Sequence, residues 1–178
     1  MNLPRTKRPL RMFLALVLFV AIGAAACSDD QGTKVDPNAR TIEIYSTTIE
    51  SVAAHMGAST EKTDKPLLIF VNNLSDNSLS AEVQLGVVLA LEDWASIRFI
   101  DDLQEAIDTA APMSPPKNEG MLIGLGNIGA GETTTRVYAD SYVSDQETWV
   151  FDVSLVLRGG EWQLEAPLQP TMVVGASH

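Results

Sequence analysis

The sequence predicts a single α+β domain over residues 41–170, in which one βαβ unit is followed by an antiparallel meander packed against helices. Two observations support this class. Residues 67–100 hold two short apolar segments on either side of a helical segment, which is the pattern of two parallel strands and their crossover helix. Residues 121–164 alternate apolar and polar side chains between glycine-rich turns, as antiparallel strands do. The predicted element order is α-β-α-β-(α)-β-β-β-β.

The first predicted element is a helix over residues 41–56. Four apolar side chains recur there at helical spacing and form one stripe: Tyr45, Ile49, Val52 and Met56. Gly57 follows the helix and is typical of a helix C-terminus. Residues 58–65 are polar and precede a proline, so they are predicted to be a loop.

The βαβ unit begins with the continuous apolar run 67–71, which is typical of a strand buried on both faces. Ser80 can cap a helix over residues 81–91. Four side chains would form the buried side of this helix: Val83, Val87, Leu91 and Trp94. Residues 96–100 read as the second strand, and we expect it to run parallel to the first.

A short third helix is expected next, capped by Asp101 and Asp102 and extending to about Thr109. Residues 111–120 contain three prolines and are predicted to be a loop.

The meander is predicted from period-two segments at residues 121–125, 133–143 and 147–157. Gly159 and Gly160 would form a tight hairpin, because glycine tolerates a positive φ. Trp162 and Leu164 then belong to the last strand, and residues 171–178 are expected to be a C-terminal tail.

The first 27 residues have a different composition from the rest. Four basic side chains open the chain: Arg5, Lys7, Arg8 and Arg11. The apolar run 12–26 follows and ends in three alanines before Cys27, the only cysteine of the chain. A run of 15 residues is short for a membrane span, which needs roughly 20 residues. It is within the length of the apolar core of a signal peptide.

This arrangement resembles the signal peptide of bacterial lipoproteins. The resemblance implies cleavage between Ala26 and Cys27, a diacylglyceryl group on the Cys27 thiol and, often, acylation of the new amino group. The family usually has leucine three residues before the cysteine, where this chain has Ala24. Ala24 and Ala26 also form an A-x-A site, so ordinary secretion of a soluble protein is an alternative, and an uncleaved anchor is another. Ser28 after the cysteine does not signal retention at an inner membrane.

Lipidation would also explain the lone thiol, which is unusual in an exported protein. Residues 27–40 are then the lipidated cysteine and a flexible tether, because residues 28–40 are mostly polar and include Gly32 and Pro37. Thirteen flexible residues reach on the order of 20 Å. The domain would therefore stay close to the extracytoplasmic face of the bacterial cell membrane.

The expected mature chain is strongly acidic. Removal of residues 1–26 takes away four basic side chains and no acidic one, which leaves 8 Lys+Arg against 23 Asp+Glu and a net charge of −15. The remaining cations are scattered, so nucleic-acid binding is disfavoured, as is adhesion of the folded domain to anionic lipid. A solvated acidic surface is the simplest interpretation. A basic partner or a divalent cation is the alternative.

Three short motifs match those of known cofactor-binding or catalytic sites, but the residues around them do not fit such sites. Gly124, Gly126 and Gly129 match G-x-G-x-x-G, but the residues that follow favour a strand rather than the helix that a dinucleotide site requires. Ser59 and Lys62 match S-x-x-K, and residues 75–77 match S-D-N, as in penicillin-interacting serine enzymes. No K-T-G follows, and Ser59 lies in a predicted loop, so we reject this interpretation.

Few residues are candidates for a metal site or for a catalytic histidine. His55 is the only histidine inside the predicted fold and lies beside a helical stripe, where a packed or solvated side chain is expected. Carboxylates at Asp101, Asp102 and Glu105 could form a Ca²⁺ site, although helix capping explains these acids as well. We predict no catalytic residue and no cofactor.

The sequence therefore favours a lipid-anchored, non-enzymatic binding or accessory module that acts on an envelope protein or a small ligand. One alternative is an envelope hydrolase or a carboxylate-metal-dependent enzyme. Another is a purely structural envelope component.

Overall fold

The computed structural model describes residues 36–75 and 77–174. These residues form two α-helices and one mixed sheet that curls into a half-barrel, which confirms the predicted α+β class. The expected cleavage site, Cys27 and the tether up to residue 35 lie outside the described residues, as does His178.

The elements follow one another in nearly the predicted order. The helices are α1 (Pro37–His55) and α2 (Ala81–Leu91). The strands are β1 (Leu67–Asn73), β2 (Ala95–Ile100), β3 (Met121–Ile128), β4 (Thr134–Ser144), β5 (Glu147–Arg158), β6 (Glu161–Leu164) and β7 (Thr171–Val173). The sheet order is β2-β1-β3-β4-β5-β6, and β7 also pairs with β5. β1 is parallel to β2 and β3, and every other pair is antiparallel.

The βαβ unit forms as predicted. β1 and β2 are parallel with Leu67 opposite Ala95, and the Ser80 hydroxyl accepts the Val83 N–H at 3.2 Å at the start of α2. The expected buried side of the helix is also confirmed, since Val83, Val87, Leu91 and Trp94 are all buried. The Gly159-Gly160 hairpin has positive φ at both glycines, so the turn has the conformation that its sequence indicates.

α1 begins at Pro37 rather than at residue 41. The Asp36 carboxylate accepts the Asn38 N–H at 2.9 Å, and a proline in the first helical turn already has the φ of a helix. Residues 37–40, which were expected to belong to the flexible tether, are therefore helical.

Two later segments also differ from the expectation. The helix predicted to reach Thr109 is a single 3-10 turn, Leu103–Glu105, which Asp102 caps by accepting the Gln104 N–H at 2.9 Å. It ends there because Ile107 pairs with Pro116. In the expected C-terminal tail, Thr171–Val173 form β7 against residues 148–150 of β5.

The two faces of the sheet bury separate cores. The larger core lies between the sheet and both helices and includes Ile69, Val71 and Phe151. The smaller core lies under the segment that connects β2 to β3 and is formed by Phe70, Ile100, Ala106, Ile107, Leu122 and Tyr142. Because alternate residues of β1 enter different cores, this strand is buried on both faces, as its continuous apolar run predicted.

The two helices pack side by side and point in the same direction. The Asn38 side-chain amide donates to the Glu82 carboxylate at 2.8 Å, which joins the two N-terminal ends. One turn further along, Gly86 of α2 lies against Ile42 of α1. The start of the domain is therefore held next to the start of α2.

Ser46 has an unfavourable position inside α1. It is buried, and its hydroxyl has no hydrogen-bond partner among the described residues. A buried polar group without a partner costs about 1–3 kcal/mol, and alanine is the better helix former. We therefore expect Ser46→Ala to stabilise the domain by about 1 kcal/mol, measured as a higher midpoint of urea unfolding.

Thr48 is the matched control for this prediction. It is also buried in α1, but its hydroxyl donates to the Ile44 carbonyl at 2.8 Å. Thr48→Ala loses this bond and a buried methyl group, so it should destabilise the domain by about 1 kcal/mol. A loss of stability in both variants would contradict the prediction for Ser46.

Candidate functional site

The most unusual surface of the described domain is the outer side of α2. The helix has only two polar side chains, Glu82 and Gln84, in its eleven residues. One apolar stripe is buried against the sheet, and a second stripe faces solvent at positions Ala81, Leu85 and Leu89, spaced four residues apart. Leu85 is 58 % exposed and Leu89 is 55 % exposed. A helix on the surface of a soluble domain normally presents polar side chains there, so the adjacent exposed leucines make this side of α2 the candidate binding surface.

Acidic side chains flank this stripe at both ends. Glu82 lies three residues before Leu85, and Glu92 lies three residues after Leu89, and both glutamates are exposed. Positions three apart on a helix are neighbours on its surface. We call the set Ala81, Glu82, Leu85, Leu89 and Glu92 the α2 surface.

Lys62, a cation that interacts with Glu92, is already neutralised by another carboxylate. The Lys62 ammonium donates to the Asp93 carboxylate at 2.5 Å, directly after α2. This hydrogen bond, with the charges of Asp93 and Glu92, raises the pKa of Lys62 above its ordinary value. The end of the α2 surface near Glu92 therefore keeps its acidic character.

β2, the strand that follows α2, is an edge strand of the sheet. The Leu67 N–H donates to the Trp94 carbonyl at 3.0 Å, so the backbone polar groups of Ile97 and Phe99 point away from β1. Arg98, in the middle of the strand, is exposed and lies 5.8 Å from the centre of the Phe70 ring. A charged side chain in this position disfavours edge-to-edge pairing, so this edge is a weaker candidate for a docking surface than α2.

A second polar group lies beside the carboxyl end of β1 and the middle of β3. Asp140 of β4 is only 8 % exposed, and its carboxylate accepts the Gly124 N–H at 3.0 Å. The cavity beside it measures about 10 Å³, which is space for one water molecule. This cavity is too small for a ligand. The hydrogen bond between Asp140 and Gly124 instead helps to hold β3 and β4 together.

The glycines of the G-x-G-x-x-G motif allow neighbouring side chains to pack closely against β3. Gly124 leaves room for Asp140 and Leu74, and a Cβ at Gly126 would lie 3.1 Å from Tyr138. β3 continues through both glycines to Ile128, and the next element is β4. A dinucleotide site needs a helix at this point, so the motif here is a strand that accommodates its neighbours.

The S-x-x-K residues lie together at an open groove of about 390 Å³ next to Trp94. The Ser59 hydroxyl accepts the Glu61 N–H at 3.4 Å, and Lys62 is paired with Asp93 as described above. A lysine that activates a serine needs a lowered pKa, whereas that of Lys62 is raised. In the S-D-N segment, the Ser75 hydroxyl donates to the Asn73 side chain at 2.7 Å, and Asp76 lies outside the described residues.

The three candidate metal ligands are not assembled into a site. Asp102 caps the 3-10 turn, and the backbone carbonyl of Glu105 accepts a hydrogen bond from Lys117 at 3.0 Å. Within residues 36–75 and 77–174, no group of three His, Cys, Asp or Glu side chains could hold a metal ion. His55 is exposed, and its ring meets that of Phe151 edge-on at 5.6 Å.

Sequence reasoning missed Leu85 and Leu89, although a signal was present. α2 has more apolar positions than one buried stripe can use, and the surplus falls at four-residue spacing. The predicted buried stripe already implied that Leu85 and Leu89 face away from the sheet, and the structure adds that each stays more than half exposed.

Comparison of the chain with protein-family models, with curated proteins and with solved structures finds no match. Neither of the helices described above has the length and apolar character needed to cross a membrane.

Proposed function

We propose that this protein is a lipid-anchored binding or accessory module on the extracytoplasmic face of a bacterial cell membrane, and that it holds its partner through the α2 surface. The observation that carries the binding role is the pair of leucines, Leu85 and Leu89, each more than half exposed on the outer side of one helix. The arrangement at Cys27 supports the anchor. The two parts of the proposal fit together because α1, the first element after the tether, starts beside α2.

With the proposed anchor at Cys27, a tether of this length would keep the α2 surface near the membrane. Nine residues, 28–36, separate Cys27 from the first residue of α1. A flexible segment of that length has a root-mean-square reach of roughly 16 Å. Partners in or on the same membrane would therefore meet the α2 surface at a high effective concentration.

One form of the envelope-hydrolase alternative would be a serine enzyme of the S-x-x-K type, and the pairing of Lys62 with Asp93 argues against it, because the lysine is held in its charged form. The alternative of ordinary secretion changes the location of the module but not the surface that it presents. The anchor can therefore be tested separately from binding.

The anchor predicts a specific mass for the mature protein. Extracted with detergent from its native membrane, the protein should begin at Cys27 and carry the additional mass of a diacylglyceryl group, with or without a further acyl chain. Cys27→Ala should lose this mass and leave the membrane fraction, or accumulate as the uncleaved precursor. Intact-mass spectrometry of both forms is the measurement. A wild-type chain that begins at or near residue 27 without lipid would contradict the anchor and make the protein a soluble secreted one.

A further inference from the structure

The charge of the domain restricts what the α2 surface can bind. Residues 36–174 carry 21 Asp+Glu and 7 Lys+Arg, a net charge of −14. Five of the seven cations are engaged within the domain: Arg40 with the Gly131 carbonyl, Lys62 with Asp93, Arg98 with the Phe70 ring, Lys117 with the Gln104 carbonyl and Arg136 with Asp152. A partner therefore approaches through a negative potential, which favours cations and slows the approach of anions.

The α2 surface combines this potential with an apolar centre. Glu82 and Glu92 are ten residues apart, about 15 Å along a helix axis, and the two exposed leucines lie between them. The complementary surface has apolar side chains over about two helical turns with a cation at each end. An amphipathic helix with Lys or Arg at both ends of its apolar stripe has this pattern.

A phospholipid surface fits less well. Anionic headgroups would face Glu82 and Glu92 at the rim of the apolar stripe, and the rest of the domain repels them too. A second copy of the chain would bring the same acids together. The charge of the surface therefore selects a basic protein segment over both.

We propose that the α2 surface binds a basic amphipathic helical segment of another envelope protein, with Leu85 and Leu89 covered by its apolar side and Glu82 and Glu92 paired with its cations. This inference rests on the proposed function as a binding module and names the chemistry of its partner. It does not depend on the lipid, so the mass measurement above and the binding measurement below can fail independently.

The test uses residues 28–178. They include the whole compact unit 35–178, which has its own cores. The probe is an alanine-based helical peptide of roughly 15 residues, with leucines on one face over two turns and two lysines at each end. The reference peptide has glutamate in place of each lysine. Binding is followed by NMR chemical shifts and fluorescence anisotropy in about 50 mM and about 500 mM salt.

The cationic peptide should bind and shift the resonances of α2, and the acidic peptide should not. Leu85→Gln with Leu89→Gln should weaken binding about tenfold or more without a change in net charge. Glu82→Gln with Glu92→Gln should weaken it about fivefold and reduce its salt dependence. All four side chains are exposed, and glutamine at position 82 keeps an oxygen that can accept the Asn38 amide. The leucine variant should therefore keep the melting temperature of the parent domain, and the glutamate variant should stay folded with a melting temperature lowered by no more than the loss of one exposed charge-assisted hydrogen bond.

Matched controls separate a specific surface from general attraction to an acidic protein. Glu119→Gln with Asp145→Asn removes the same charge from exposed positions in the β2–β3 connection and the β4–β5 turn. Met172→Gln changes an apolar residue of β7 that is 49 % exposed and lies outside α2. Both controls should leave affinity within about twofold of the parent domain.

Four results would overturn the proposal. One is absence of peptide binding at millimolar concentration, and another is equal loss of affinity in the controls and the α2 variants. A third is binding to phosphatidylglycerol vesicles that requires Leu85 and Leu89, which would make lipid the occupant. The fourth is self-association that disappears in the leucine variant, which would make a second copy the occupant.

Discussion

Phe151→Ala should destabilise the domain by about 3–5 kcal/mol, the range for removal of a fully buried aromatic side chain. Phe151 is 1 % exposed at the centre of β5 and belongs to the core between the sheet and the helices. Phe151→Ala leaves a cavity that cannot easily close, because the long antiparallel pairing of β4 with β5 holds the backbone in place. Because domains of this size are stable by only about 5–15 kcal/mol, the variant should unfold at much lower denaturant concentration.

His55 is the control for this cavity. Its exposed ring touches Phe151 edge-on from the end of α1. His55→Ala removes that contact and leaves Phe151 in place, so it should cost about 0.5–1 kcal/mol. Urea unfolding of both variants gives the two free energies. A cost for Phe151→Ala as small as that for His55→Ala would show that Phe151 does not fill the core as described.

The burial of Phe151 could be predicted from the sequence. β5 has one buried and one partly solvated face, so its apolar residues recur with period two, and Phe151, Val153 and Leu155 are all buried. The βαβ unit was predictable for a related reason, because a strand buried on both faces is a continuous apolar run. In both cases the pattern along the chain directly reflects the local environment.

The elements that sequence reasoning missed are set by contacts distant along the chain. β7 is three exposed residues with no apolar alternation, and it becomes a strand only because β5 extends far enough to pair with it. The helix predicted after β2 is cut short where Ile107 pairs with Pro116. The early start of α1 is different, because its signal, an aspartate followed by proline, is local.

The candidate site could be predicted only in part. The surplus of apolar residues in α2 is visible in the sequence, as is the acidic charge. The correctly predicted buried side of α2 implies that Leu85 and Leu89 face away from the sheet, but how much of each leucine α1 leaves exposed follows only from the tertiary structure. Gly86 is the residue that allows α2 to dock against α1, since an added Cβ would lie 2.7 Å from Cγ1 and 3.2 Å from Cγ2 of Ile42. The same glycine therefore determines how close the two helices pack.

Gly86→Leu should destabilise the domain by about 1–3 kcal/mol, because the larger side chain must displace Ile42 or separate the two helices. The helix propensity of leucine would offset about 1 kcal/mol of the cost of the collision. Urea unfolding of the variant measures the sum. A variant as stable as the parent would contradict the close contact between α1 and α2.

A smaller substitution separates the two contributions. Gly86→Ala gains up to about 1 kcal/mol of helix propensity but places its Cβ against Ile42, so we expect little change or a loss in the parent domain. Ile42→Ala removes the obstructing side chain, and in that background the same Gly86→Ala should stabilise the domain by about 0.5–1 kcal/mol. The difference between the two backgrounds is the coupling energy of the contact. An equal effect in both would mean that α2 can shift away from α1 without cost, and the position of the α2 surface would then not depend on Gly86.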